Sequence, residues 1–217
     1  MKAKEVIARR VALEFHDGDV VNLGFGIPNA SADYIPAGVS VILQAENGAL
    51  RFGETPGKDN YHPNIANSGG APITLMPGAS TFDIQTSFAI IRGGHVDATV
   101  LGALEVSQDA SIANWIIPGK FAPGMGGAMD LSVGAKRVIV ALQHVDKNGE
   151  SKVLKECTLP LSAKGVVSMV ITELAVFEFQ DGKYLLKEVA PGVTVEEVLE
   201  KTAGDVVVAD NVITMPI

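Results

Sequence analysis

Apolar residues along the chain fall first in a helical rhythm and then in short blocks. Between Ala3 and Phe15, Val6, Ile7, Val11 and Phe15 recur on one side, while Lys4, Glu5, Arg9 and Glu14 lie elsewhere. That spacing predicts an amphipathic helix stopped by Asp17-Gly18. The run Val20–Leu23 is short enough to predict a buried strand, followed by the loop Gly24-Phe-Gly-Ile-Pro-Asn29 and a helical segment ending near Pro36. Val39–Gln44 predicts a second strand that leads into Ala45-Glu46-Asn47-Gly48. Glu46 is therefore expected just past a strand's C-terminal end. Arg51 to Ala71 is polar, rich in Gly, Pro and Asn and without a period, and reads as a long loop.

Further on, Ser80 or Thr81, with Asp83 close behind, can open a helix through Ile91 that ends at Arg92-Gly-Gly94. Ala98–Leu101 and Arg137–Leu142 predict two more buried strands. Between them, Pro123-Gly-Met-Gly-Gly-Ala-Met-Asp130 forms a second glycine loop that opens a short helix. Toward the C-terminus the pattern changes. Asp146-Lys-Asn-Gly149 reads as a hairpin turn, and Asp181-Gly182 divides Ala175–Phe179 from Lys183–Val189 as a second hairpin. Thr194 and Glu197 form a capping box for a last helix before Val206–Val208. Strand–loop–helix units followed by hairpins predict an α/β fold: an open, mainly parallel sheet with some antiparallel strands and flanking helices.

With 217 residues and no shift in composition, the chain is expected to form one domain over 1–217. Its formal charge of −8, with no basic cluster larger than Arg9–Arg10, argues against a nucleic-acid partner. The single cysteine, Cys157, rules out an intrachain disulfide, and its setting between Glu156 and Thr158 in an expected strand suits a small buried residue better than a nucleophile. No apolar run reaches the ~18 residues that span a bilayer, and the N-terminus lacks a secretory pattern. No membrane partner and a cytoplasmic location are expected.

Candidate chemistry is sparse. His16, His62, His95 and His144 are far apart and match no metal-ligand spacing, so no metal site is expected. His95 in Gly93-Gly-His95 reads as a turn residue. No GxSxG elbow is present. Gly24-Phe-Gly26 starts like a dinucleotide fingerprint, but Pro28 and Ala30 break the later pattern. Gly24 and Gly26 either make a tight strand-to-helix turn or let a polar ligand approach the backbone. Glu46 stands out because a carboxylate beside Ala45, Gly48, Ala49 and Leu50 is costly to bury without purpose. Pattern alone leaves a second reading, in which the strand simply ends there and Glu46 points into water.

Seven blocks in order carry a family resemblance: Val21-Asn-Leu-Gly-Phe-Gly-Ile-Pro28, Glu46-Asn-Gly48, Met76-Pro-Gly78, Ser87-Phe-Ala-Ile-Ile-Arg-Gly-Gly-His95, Ala113-Asn-Trp-Ile-Ile-Pro-Gly-Lys120, Gly124-Met-Gly-Gly-Ala-Met-Asp-Leu131 and Cys157-Thr-Leu-Pro-Leu161. Over essentially its whole length the chain resembles the B (beta) subunit of class I, 3-oxoacid-type coenzyme A transferases. Relatives act on acetate, butyrate and acetoacetate. The resemblance implies a fold shared by CoA transferases and sugar-phosphate isomerases, with Glu46 as the nucleophile that passes through a glutamyl-CoA thioester. Gly127 matches a backbone donor to the oxyanion, and Gly24, Gly26, Asn47 and Gly126 are expected to contact substrate or CoA. Coenzyme A enters as a substrate, with no permanently bound cofactor. Because CoA is polyanionic and this chain is acidic, an alpha subunit is expected to complete the site. The chain departs from the family pattern at Ala45 and at Ala49-Leu-Arg-Phe52, which bears on acyl specificity. Two alternatives remain at this level: a silent regulatory or assembly subunit, and an isomerase using the carboxylate as a base.

Overall fold

The computed structural model describes residues 1–120 and 124–217. Pro123, with which the second glycine loop is expected to open, lies outside the described residues. In chain order the elements are α1 (Ala3–Ala12), β1 (Val20–Leu23), α2 (Ile27–Ala30), a 3-10 turn at Ser31–Tyr34, β2 (Ile42–Ala45), β3 (Ala49–Phe52), β4 (Leu75–Thr81), α3 (Ile84–Arg92) and β5 (Ala98–Leu101). They continue with β6 (Glu105–Ser107), β7 (Ile112–Ala113), α4 (Ala128–Gly134), β8 (Arg137–Ala141), β9 (Val153–Leu154), β10 (Met169–Ile171), β11 (Ala175–Gln180), β12 (Lys183–Val189), α5 (Val195–Lys201) and β13 (Val206–Thr214).

Ten of these strands form one sheet in the order β13-β12-β11-β10-β8-β5-β1-β2-β3-β4. Its centre, from β2 through β1, β5 and β8 to β10, is parallel. The hairpins β2–β3–β4 and β10–β11–β12 extend it antiparallel, and β13 closes the far edge parallel to β12. This is the mixed sheet that the strand–loop–helix units predict. At its centre both faces are covered, so successive side chains of one strand enter opposite cores. On β8, Val138 and Val140 pack with Ile91 and Leu131 beneath α3 and α4, whereas Ile139 and Ala141 pack with Ile7 and Val11 of α1. Among the described residues no helix is long and apolar enough to cross a membrane.

Several boundaries differ from expectation. The first helix stops at Ala12 with Leu13 as its cap, so Phe15 reaches the core from the turn that follows. The second strand begins at Ile42 and runs through Ala45, one residue closer to Glu46 than predicted. The long loop is shortened at its start, because Arg51 and Phe52 lie in β3, and a strand without a counterpart in the sequence reading, β4, contains Met76-Pro-Gly78. Pro77 obscures β4 in the sequence, yet β4 is an edge strand, and Pro77 falls in an irregularity between the paired residues Leu75 and Ser80. A proline costs no ladder bond there. Asp83, not Ser80 or Thr81, caps α3 by accepting the Thr86 N–H at 2.7 Å. Cys157 lies outside any strand, half-buried, and burial pushes its thiol up to about 11, although a hydrogen bond to Ser107 opposes this. The Asp181-Gly182 turn and the Thr194 cap form as predicted, with both turn residues at positive φ and Thr194 Oγ1 accepting the Glu197 N–H. The small sheet β7-β6-β9 has no counterpart in the sequence reading, because strands of two or three residues carry no usable period.

His144 is fully buried between Thr172 Oγ1 and Thr202 Oγ1, each 3.0 Å from a ring nitrogen. Burial, aided by the Lys201 charge, pushes the imidazole down to about 4. The unfolded chain, with an ordinary histidine near 6.5, therefore takes up this proton first as the pH falls. The stabilisation is present above about pH 6.5 and is lost progressively toward pH 4. Denaturant titrations at pH 7 and pH 4 are expected to show a loss from this residue on the order of 3 kcal/mol. His144→Gln, which cannot titrate, should remove that part of the pH slope.

Candidate active site

The site is built where β2 turns back into β3. Residues Glu46, Asn47 and Gly48 form the turn, and Gly48 donates its N–H to Ala45 O at 3.0 Å. Gly48 has φ 116°, and its carbonyl accepts the Phe82 N–H at 3.0 Å, tying the turn to the start of α3. A Cβ at this position would run into the Phe82 carbonyl oxygen. The glycine is thus required by both conformation and space.

Glu46 is half-buried, with Oε2 accepting from Asn22 Nδ2 at 3.0 Å. It faces a cleft of about 540 Å³ whose wall includes Asn22, Gly24, Asn114, Gly126 and Gly127. Among the described residues, Glu46 is the single charged side chain on that wall. Among the described residues, its half-buried carboxylate has one side-chain donor and meets no counter-ion in the cleft. Gly127, the N-cap of α4, lies against it: a Cβ there would stand 3.1 Å from Glu46 Cγ. Gly126, beside it at φ 54°, lines the same cleft.

The structure therefore brings Glu46, Gly24, Gly126 and Gly127 to one cleft. Gly24 has a further reason to be glycine, since its N–H donates to Val100 O at 2.8 Å and a Cβ would lie 3.0 Å from that oxygen. Gly26, at φ 85°, starts α2 and lines a neighbouring cleft of about 440 Å³ that also includes Phe25. Asn47 points elsewhere: its Nδ2 donates to Ala66 O at 2.8 Å, pinning the loop after β3. Sequence reasoning missed Asn22 and Asn114. Asn22 could have been found as the lone polar residue in the apolar run Val20–Leu23, because a buried amide needs partners. Asn114 Nδ2 holds Gly102 O at 3.2 Å and so shapes the opposite wall.

Comparison with known proteins concerns the family and the fold. A family model described as coenzyme A transferase matches residues 4–201. The beta subunit of acetate CoA-transferase from Haemophilus influenzae is 55% identical over 211 residues, covering 97% of this chain and 94% of that protein. The B-type subunit of succinyl-CoA:3-ketoacid coenzyme A transferase from Helicobacter pylori is 48% identical over 202 residues, covering 93% of this chain and 97% of that one. Among solved structures, an acyl-CoA transferase apoenzyme from Escherichia coli O157:H7 superposes with TM-score 0.77 at 23% identity. It covers 99% of this chain, which spans 43% of that longer polypeptide. At that identity the likeness concerns the fold.

Proposed function

The chain belongs to the coenzyme A transferase family, and we propose that Glu46 is the nucleophile through which it moves CoA between carboxylic acids. The Glu46 carboxylate attacks the carbonyl carbon of an acyl-CoA; the C–S bond breaks, leaving an acyl-glutamyl anhydride and CoA thiolate. The thiolate then attacks the glutamyl carbonyl, releasing the first acid as its carboxylate and leaving a glutamyl-CoA thioester. An incoming carboxylate reverses the sequence and departs as the new acyl-CoA. One thioester replaces another of similar energy, so each step is a displacement at an acyl carbon.

The observation that carries this reading is the solitary carboxylate in a mostly apolar cleft, held by Asn22 and abutted by the Gly126–Gly127 turn. A hydrated carboxylate is a poor nucleophile, and partial desolvation raises its reactivity. Backbone donors at Gly127 suit the oxyanion that forms during each attack. The cleft wall carries no lysine or arginine among the described residues, which supports an alpha subunit as the source of charge for the CoA phosphates. The relatives' names support short-chain substrates of the acetate and 3-ketoacid class, with butyrate and acetoacetate in the same size range. CoA acts as a substrate and no cofactor stays bound; turnover takes place in the cytoplasm.

The test is to incubate the complex reconstituted with its alpha subunit with acyl-CoA, reduce with borohydride and map the modified peptide by mass spectrometry. Reduction at Glu46 is the expected result. Turnover with modification elsewhere, or with none, overturns the assignment. A second variant reads the packing against Gly127. Gly127→Ala forces Glu46 to shift by a few tenths of an ångström, and turnover of the complex should fall about tenfold or more. The thermal midpoint should stay within about 2 °C of wild type, since φ at Gly127 is −83° and suits alanine.

A further inference from the structure

Beneath the cleft a row of polar side chains crosses the sheet on the side covered by α3 and α4. Gln44, Asn22 and Thr99 are partners in register on the adjacent parallel strands β2, β1 and β5, and each is at most 1% exposed. Asn22 Nδ2 faces three acceptors: Gln44 Oε1 at 2.7 Å, Gln44 O at 3.1 Å and Glu46 Oε2 at 3.0 Å. The Gln44 amide is held in turn, with Nε2 donating to Ser87 Oγ of α3 at 3.1 Å. On the other flank, Asn22 Oδ1 and Thr99 Oγ1 are buried without a partner among the described residues, as is Ser132 Oγ of α4.

We propose that Gln44 is a positioning residue, which holds the Asn22 amide toward Glu46. Two amide orientations are open to Asn22. Turned toward β2, it donates to Gln44 and Glu46 and leaves Oδ1 unsatisfied among the described residues, which costs less than leaving the carboxylate without its donor. Turned the other way, it would set Oδ1 against the acceptor oxygens of Gln44 and Glu46 and lose its bond to Glu46. The 2.7 Å contact to Gln44 Oε1 is the shortest of the three and favours the first orientation. Ser87 fixes the glutamine in the rotamer that presents its oxygen. Gln44 is absent from the cleft wall, so its influence on the reacting carboxylate passes through Asn22. The proposal rests on Glu46 being the nucleophile.

Steady-state kinetics of the reconstituted complex test it. Gln44→Met keeps the volume and removes both polar contacts; kcat should fall about tenfold, with KM for acyl-CoA within about twofold of wild type. In an Asn22→Ala background the same substitution should cost nothing further, because the group it acts through is gone. An equal loss in both backgrounds would overturn the relay and mark Gln44 as merely structural. Should Gln44→Met fail to assemble, Ser87→Ala measured in the same two backgrounds gives the same comparison, with an expected loss of about threefold. Borohydride trapping on wild type separates the two ideas. Labelling at Glu46 with additive Gln44 effects rejects the relay alone, whereas absence of labelling at Glu46 rejects the nucleophile.

Discussion

Glu46→Gln is expected to reduce turnover of the reconstituted complex by at least about 1000-fold, with no fall in thermal midpoint. The glutamine side chain has the same shape, and its carbonyl oxygen can still accept from Asn22 Nδ2, which lies 3.0 Å from the native carboxylate. What disappears is the anionic oxygen to which the proposed mechanism assigns the attack on the thioester. The amide is neutral and its lone pair is delocalised, so neither the anhydride nor the glutamyl thioester can form. Initial rates, with acyl-CoA binding measured separately, check the prediction. Binding should persist, since one uncharged substitution leaves the wall otherwise intact. A complex that keeps full turnover with the Glu46→Gln substitution would identify this chain as a silent assembly subunit.

The largest stability effect should come from the turn that presents Glu46. Gly48→Ala combines a left-handed backbone, at φ 116°, with a Cβ driven into the Phe82 carbonyl. Relieving that clash means breaking the Phe82 N–H to Gly48 O bond, which joins the hairpin to the residue before the α3 cap. A loss of at least about 3 kcal/mol is expected, or roughly 6–12 °C in thermal midpoint for a chain of this size. Gly18→Ala is the control. Gly18 also has positive φ, at 83°, but a Cβ there meets nothing within 4 Å. Backbone strain alone should cost about 1 kcal/mol. Calorimetry on both variants separates strain from collision, and equal losses would show that the Phe82 contact contributes nothing.

Much of this arrangement is legible in the residues. Short blocks rich in Val, Ile and Leu identify β1, β5 and β8 because strands buried on both faces need no alternation. Asp181-Gly182 and Thr194 are legible because turns and caps are set by local chemistry, a tolerance of positive φ in one case and a hydroxyl acceptor in the other. β4 was hidden by Pro77 and Gly78, whose acceptance depends on lying at the sheet edge. Edge position is a property of the assembled sheet.

The candidate site divides in the same way. Glu46 is conspicuous from its neighbours alone, since a carboxylate among small apolar residues at a strand end already suggests chemistry. That Gly127 lies against it from 81 positions away, and that Asn22 rather than Asn47 donates to it, follows only from the order and register of the strands. Local sequence determined which residues turn, cap and pair, because those preferences arise within a few bonds. The tertiary structure decided what Glu46 faces, because desolvation and hydrogen-bond geometry depend on which distant strands and helices pack around it.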